Sequence, residues 1–143
     1  MTGDGATLIL HATAVAVAGR GLLILGASGA GKSSLALQMM AFGAGLIADD
    51  RVCLHQMAGQ LVATAPERLS GLIEARGIGL LQAQALGPTH LHLAVDLDQA
   101  EPDRLPAARH ITLLACRIPL VLGRDAPHLA YGLMQYLRGG RSA

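Results

Sequence analysis

The chain has 143 residues, 52% of them hydrophobic and only 15% charged, so it is long enough to bury one core and too apolar to be disordered. A formal net charge of +1 offers no electrostatic case for nucleic acid or an acidic membrane surface, and an aromatic content of 2% means the core is built from Ala, Val, Ile and Leu. Cys53 and Cys116 lack CxxC neighbours and read as buried free thiols, there is no signal-peptide pattern, and no apolar run approaches ~20 residues, so the expectation is a single cytoplasmic domain over 1–143 with no membrane or nucleic-acid partner.

In chain order, "TLILHATAVAV" (7–17) alternates as a strand does, with a break near His11. Gly19-Arg20 reads as a hairpin turn into "GLLILG" (21–26), a short apolar run of the buried-strand type. A glycine-rich loop follows, then "KSSLALQMMAF" (32–42), whose Leu35, Met39 and Phe42 share one helical face; Gly43 and Gly45 end that helix. "LIADD" (46–50) is another buried strand, with two carboxylates at its C-terminal end. "RVCLHQMAGQLVATA" (51–65) forms a hairpin turning at Ala58-Gly59, and "GLIEARGIGLL" (71–81) mixes strand and loop. "LHLAVDL" (91–97) and "ITLLACRIPLVL" (111–122) read as strands, while 98–109, with Pro102 and Pro106, is the most polar and mobile segment. "APHLAYGLMQYLR" (126–138) has helical spacing after a proline, and its Tyr131 and Tyr136 are expected to pack. The fold class is α/β, with more strand than a three-layer nucleotide kinase of this size would carry.

One residue is chemically conspicuous. Lys32 is the only lysine, against ten arginines. It sits in Gly26-Ala27-Ser28-Gly29-Ala30-Gly31-Lys32-Ser33-Ser34, a complete G-x-x-x-x-G-K-S phosphate-binding loop with a predicted strand before it and a helix after it. Glycines let successive backbone N–H groups turn inward toward phosphate oxygens, and the helix adds the positive end of its dipole. A compact ammonium reaches β- and γ-phosphates where a wide guanidinium is no equivalent, which explains a lysine in a chain that otherwise uses arginine. Ser33 supplies a hydroxyl oxygen suited to Mg²⁺.

Other residues add to this chemistry. A kinase needs a carboxylate for the metal and a base for the attacking hydroxyl. Asp49 and Asp50 end a strand, where ligands of open α/β sheets collect. Adjacent carboxylates alternate sides of a strand, so only one of the two is expected to face the phosphates directly; the other reading is a turn or helix-cap pair. His11, alone in an apolar strand, is on its own most simply a hydrogen-bonded structural residue. Glu74 and Arg76 are an ion pair on a solvated face or contacts to metal and substrate.

Together "HATAVAV" (11–17), "GASGAGKSSLAL" (26–37), "LIADDRV" (46–52) and "GLIEARGIGLL" (71–81), in this order and spacing, resemble the catalytic domain of HPr kinase/phosphorylase. The resemblance is strong over 7–81 and weaker over 91–137. It implies a P-loop domain of the phosphoenolpyruvate carboxykinase-like type. It also implies an ATP- and Mg²⁺-dependent kinase acting on a serine of HPr, the phosphocarrier protein of the sugar phosphotransferase system, with reversal by phosphorolysis. By position it gives Lys32 and Ser33 the phosphate and Mg²⁺, Asp49 the general base, Asp50 metal or geometric support, and Glu74 a metal contact. It places His11 beside the transferred phosphoryl group, Arg104 on a loop approaching the site, and Arg124 in a glycine–arginine turn. It further implies a homo-oligomer, hexameric in the family. The chain resembles the short forms, which lack an N-terminal domain; Ala12 replaces a usual glycine and the loop after Arg76 is short.

Two other functions use the same loop. A small-molecule kinase would carry an arginine-rich lid after a long helical region, where this chain has glycines, prolines and strands. A non-catalytic ATP sensor would bind nucleotide without turnover and leave His11 and Asp49 unexplained.

Overall fold

The computed structural model describes residues 6–143. Strand β1 (Thr7–Leu10) and β2 (Thr13–Val17) are separated at His11-Ala12, the break expected from the sequence. A tight turn at Ala18 (φ 54°) and Gly19 (φ 77°) leads into β3 (Arg20–Leu25). Two positive φ values give this connection the twist that a two-residue hairpin requires. After the glycine loop come α1 (Lys32–Ala41), β4 (Gly45–Ala48), β5 (Val52–Met57) and β6 (Gln60–Thr64), the last two joined at Ala58-Gly59 as read. A single 3₁₀ turn at Glu67–Leu69 precedes a separate hairpin, β7 (Leu72–Ala75) and β8 (Gly79–Gln82). The chain closes with β9 (Thr89–Asp96), β10 (His110–Leu113), β11 (Cys116–Leu122) and α2 (Leu129–Gly139).

Among the described residues nine strands form one sheet, in the order β1-β5-β6-β9-β3-β2-β4, with β11 also on β9 and β10 on β11. Strand β9 carries β3 along one edge and divides its other edge between β6, near Thr89 and His90, and β11, along Ala94–Asp96. That branching curls the sheet. Strands β3, β9 and β11 are mutually parallel, whereas β2 is antiparallel to both β3 and β4. The C-terminal ends of β4, β3, β9 and β11 therefore gather on one edge, with the start of β2 between the first two. Open α/β sheets bind ligands at such an edge.

Period-2 alternation divides the core. From β2 and β3, Val15, Val17, Leu22 and Ile24 face the helices and pack with Leu35, Met39, Leu133 and Leu137. Ala14, Ala16 and Leu23 face the other way, onto Ile47, Leu54, Leu61 and Ile118 where the sheet curls over them. Both faces of these strands are covered, which is why they read as unbroken apolar runs.

Four expectations change. Phe42 does not share the buried face of Leu35 and Met39: it lies just past α1, is 44% exposed, and sets its ring 5.1 Å from that of Tyr131, which is itself exposed rather than packed. Of the two free cysteines Cys116 is buried, but Cys53 is only half-buried, on the alternating strand β5. The run 111–122 is a hairpin turning at Leu114 (φ 48°) and Ala115 (φ 62°), residues without the glycine or asparagine that mark such turns. The last helix begins at Leu129, three residues beyond the predicted start, with His128 as its N-cap. Among the described residues no helix is long and apolar enough to cross a membrane.

Candidate active site

The loop leaving β3 curls as its spacing demands. Gly26 (φ 157°), Gly29 (φ 83°) and Gly31 (φ 99°) occupy backbone regions that side chains disfavour. A Cβ on Gly26 would also lie 3.0 Å from the Ala30 Cβ and 3.3 Å from that of Leu97. The Ala30 N–H donates back to the Ala27 carbonyl at 3.0 Å, and the Leu35 N–H to that of Gly31 at 2.9 Å. Among the described residues no protein acceptor takes the N–H groups of Gly29, Gly31, Lys32, Ser33 or Ser34. These amides converge at the N-terminus of α1, whose first turn has no intrahelical acceptors, and form an anion cradle. The Lys32 Nζ arches over it, donating to the Gly26 carbonyl at 2.7 Å and the Ala27 carbonyl at 3.1 Å. An ammonium has three hydrogens, so one remains for a phosphate oxygen.

The strand order decides what flanks the cradle. On one side, the ends of β4 and β2 border a cavity of about 550 Å³ lined by His11, Thr13, Lys32, Ser33, Asp49 and Asp50. Glu74, Arg76 and Ile78 of the β7–β8 hairpin close its far wall. On the other side, the ends of β9 and β11 border a second cavity, also of about 550 Å³.

The two adjacent carboxylates have opposite surroundings. Asp49 is 4% exposed. Its Oδ1 accepts hydrogen bonds from the Thr13 hydroxyl at 2.8 Å and the Ser33 hydroxyl at 2.7 Å, and its Oδ2 accepts one from the Glu74 N–H at 3.0 Å. Three donors from three separate segments fix its orientation. Asp50 adopts φ 70°, a left-handed conformation uncommon for a residue with a side chain and a feature that clusters at active sites. That twist ends the strand alternation and brings Asp50 into the same cavity as Asp49. The Asp50 side chain is 61% exposed, with Oδ1 3.3 Å from the His11 Nε2 and Oδ2 3.9 Å from the Arg51 guanidinium.

These donors suit Mg²⁺. Ser33 gives its hydrogen to Asp49 and so turns its oxygen lone pairs outward, beside the cradle. Mg²⁺ takes hard oxygen ligands, commonly one or two from protein with the rest from water and substrate phosphates, so a denser protein cluster is not required. Among the described residues no group of three or more His, Cys, Asp or Glu is arranged to hold a metal. Glu74 meets Asp49 through its backbone N–H and is one of the residues that line the cavity.

Arg104 stands apart. It is exposed on the segment after β9 and lines neither cavity. That segment, expected to be the most mobile, is tied by a bidentate pair: Arg109 Nε and Nη2 donate to the Glu101 carboxylate at 2.9 and 3.1 Å. The Arg109 hydrogen bond holds the Glu101 carboxyl below its usual range, and the reciprocal bond raises the guanidinium. Arg124 lies on the wall of the second cavity.

Two residues join the site that the sequence reading did not single out. Asp98 accepts the Ala27 N–H on both carboxylate oxygens, at 3.0 Å each, and so anchors the start of the loop to the end of β9. Thr13 is the other; a buried hydroxyl in an otherwise apolar strand was its signal. Thr13→Val keeps the shape but deprives Asp49 of one donor. It is expected to cost about 1–3 kcal/mol of stability, read as a lowered urea midpoint at unchanged slope.

Comparison with known proteins agrees with this architecture. Residues 5–105 match the model of the HPr Serine kinase C-terminal domain. The HPr kinase/phosphorylase of Clostridium novyi is 39% identical over 102 residues, covering 66% of this chain and 33% of the relative. That of Aromatoleum aromaticum is 36% identical over 135 residues, covering 81% and 43% respectively. The chain thus spans less than half the length of these relatives. The solved structure of the Hpr(Ser) kinase/phosphatase from Coxiella burnetii superposes with a TM-score of 0.78 at 24% identity, covering 92% of this chain and 94% of that one, a likeness of fold. With a family match over most of its length and that fold, this chain belongs to the HPr kinase C-terminal domain family.

Proposed function

We propose that the protein is an ATP- and Mg²⁺-dependent kinase that transfers the γ-phosphoryl group to a serine of the phosphocarrier protein HPr, on a P-loop domain of the phosphoenolpyruvate carboxykinase-like type. The observation that carries this reading is a single cavity in which free loop amides, the Lys32 ammonium and the Ser33 hydroxyl lie beside one buried and one accessible carboxylate. A cradle of that kind seats a polyphosphate, and the accessible carboxylate meets an incoming alcohol.

The roles follow from the surroundings. Loop amides and Lys32 bind the β- and γ-phosphates and offset charge as it shifts toward the leaving oxygen. Mg²⁺, when bound, adds charge neutralisation at those oxygens. Asp49 is a positioning residue: both its oxygens already accept hydrogen bonds, and it aims the Ser33 lone pairs. Asp50 takes the proton of the acceptor serine, the role that resemblance alone gave to Asp49, because its oxygens are reachable and His11 stands 3.3 Å away. As the serine oxygen bonds to the γ-phosphorus and the bond to the β-bridging oxygen breaks, that proton passes to Asp50. Phosphorolysis uses the same groups in a distinct step: an oxygen of inorganic phosphate bonds to the phosphoserine phosphorus as the bond to the serine oxygen breaks, pyrophosphate forms, and the proton of the attacking phosphate passes by way of Asp50 to the departing serine oxygen.

The test is incubation of the protein with Mg-ATP and purified HPr, followed by intact mass and localisation of the label. One added phosphate on a serine is the expected result. Unlabelled HPr with a phosphorylated metabolite instead would move the protein to the small-molecule kinases, and nucleotide binding without any transfer would make it a sensor.

A further inference from the structure

One carboxylate beside the phosphate loop has no part in the steps above and opposes them by its charge. Asp98 follows the end of β9, pairs with no cation among the described residues, and stands next to a cradle suited to anions. A negative charge there repels phosphate. What the carboxylate touches offers a reason for it. Both its oxygens accept the Ala27 N–H, at 3.0 Å each. That N–H belongs to the peptide unit whose carbonyl, on Gly26, accepts from the Lys32 Nζ at 2.7 Å. In a trans peptide the N–H and C=O point to opposite sides of one plane. A carboxylate and an ammonium therefore grip the two ends of a single amide, each polarising it in the sense that strengthens the other's hydrogen bond.

Such an amide needs to be held. Gly26 has no side chain to bias rotation about its own bonds, and a flip of the Gly26–Ala27 peptide would turn its carbonyl away from Lys32 and present an N–H to the ammonium instead. Asp98 opposes that flip, because the carbonyl oxygen would then face a carboxylate. Its own seat is firm. The Leu97 N–H donates to the Leu25 carbonyl at 2.9 Å and ties the end of β9 to the end of β3. The Asp98 N–H donates to the Asp96 Oδ1 at 2.8 Å, and the Asp96 Oδ2 accepts from the Gln99 Nε2 at 2.7 Å. We propose that Asp98 is a positioning residue for phosphate binding: through the Gly26–Ala27 peptide it orients the carbonyl that aims the Lys32 ammonium. The inference rests on the phosphate-loop reading above and adds what sets the direction of its lysine. Asp98 borders the second cavity, whereas Ser33, Asp49 and Asp50 line the first, so it stands outside the metal-and-base group.

The experiment is a double-mutant cycle on Mg-ATP affinity, read by equilibrium binding for the intact protein, Asp98→Ala, Lys32→Ala and the two changes together. Asp98→Asn is the conservative variant. Asp98 is exposed, and circular dichroism melts check that each variant stays folded. Asp98→Ala should weaken Mg-ATP about 5- to 10-fold, the effect of one hydrogen bond and opposite in sign to relief of charge repulsion. In the Lys32→Ala background the same change should weaken binding by less than about 2-fold or tighten it, since only repulsion is left to lose. Asp98→Asn keeps an acceptor oxygen for the Ala27 N–H and sheds the charge, so it should bind within about 3-fold of the intact protein. If Asp98→Ala binds Mg-ATP as well as the intact protein or better, the positioning role is overturned while a Lys32-dependent cradle stands. Equal weakening in both backgrounds would mean that Asp98 steadies the loop without acting through Lys32, which also overturns it. An asparagine as weak as the alanine would remove the bond to the peptide as the cause. If the intact protein does not bind Mg-ATP, the nucleotide reading falls and the positioning role with it.

Discussion

Asp50→Asn is expected to reduce phosphoryl transfer to HPr about 10²- to 10⁴-fold, the range that general-base removal commands, while the affinity for Mg-ATP changes by no more than about 3-fold. Asparagine suits the position for two reasons. It tolerates the left-handed φ of 70° that the backbone requires there, and it preserves the size of the carboxylate while removing its basicity. The pairs with His11 and Arg51 that it gives up are exposed and contribute about 0–1 kcal/mol, so folding should be little affected. Asp49→Asn should behave differently. An amide cannot accept from three donors with the same geometry, so Ser33 loses its aim, and both Mg-ATP binding and thermal stability should fall with the rate. Pre-steady-state transfer beside equilibrium nucleotide binding separates the two. Transfer retained in Asp50→Asn, with rate alone lost in Asp49→Asn, would return the base to Asp49.

Lys32→Ala should weaken Mg-ATP about 10- to 150-fold, as expected for loss of a hydrogen-bonded charge on phosphate, and should lower the transfer rate of the bound complex by a further 10²- to 10³-fold. The second loss arises because the ammonium meets more negative charge in the transition state than in the ground state. Structure should survive the change: of the two carbonyls released by Lys32, that of Ala27 is exposed and that of Gly26 only half-buried, so water can replace the ammonium. Lys32→Arg should not rescue, since the wider guanidinium does not fit the arch between two carbonyls and a phosphate. Equilibrium binding and single-turnover transfer, with a melting curve for each variant, check all three statements. Rescue by arginine would mean that the position supplies charge without shape.

How much of this was legible in the linear sequence depends on how local each feature is. The tight turns at Ala18-Gly19 and Ala58-Gly59 and the strands beside them follow from neighbours in the chain. The turn at Leu114-Ala115 does not: two apolar residues adopt positive φ because pairing of β10 with β11 and seating of Cys116 and Ile118 in the core outweigh about 1–2 kcal/mol of strain per residue. Phe42 was misread for a related reason. Helical periodicity assigns a face only while the helix lasts, and here it ends at Ala41.

The phosphate loop is the opposite case, because its function is its spacing. Eight consecutive residues set the glycine positions, place the lysine and hydroxyl at the start of a helix, and leave amides unpaired, so the sequence by itself determined an anion cradle. It also placed Asp49, Asp50 and His11 near that cradle through strand order and resemblance. Only the tertiary structure decided how the two carboxylates divide. Thr13, Ser33 and Glu74 come from separate segments to occupy Asp49, and a single left-handed residue turns Asp50 toward solvent and His11. Likewise the second cavity exists because β9 and β11 run parallel to β3 and end beside it, a pairing over some hundred residues that no local pattern encodes. Contacts within one turn are fixed by neighbours along the chain; contacts between strand ends are fixed by which apolar faces the whole chain can bury together.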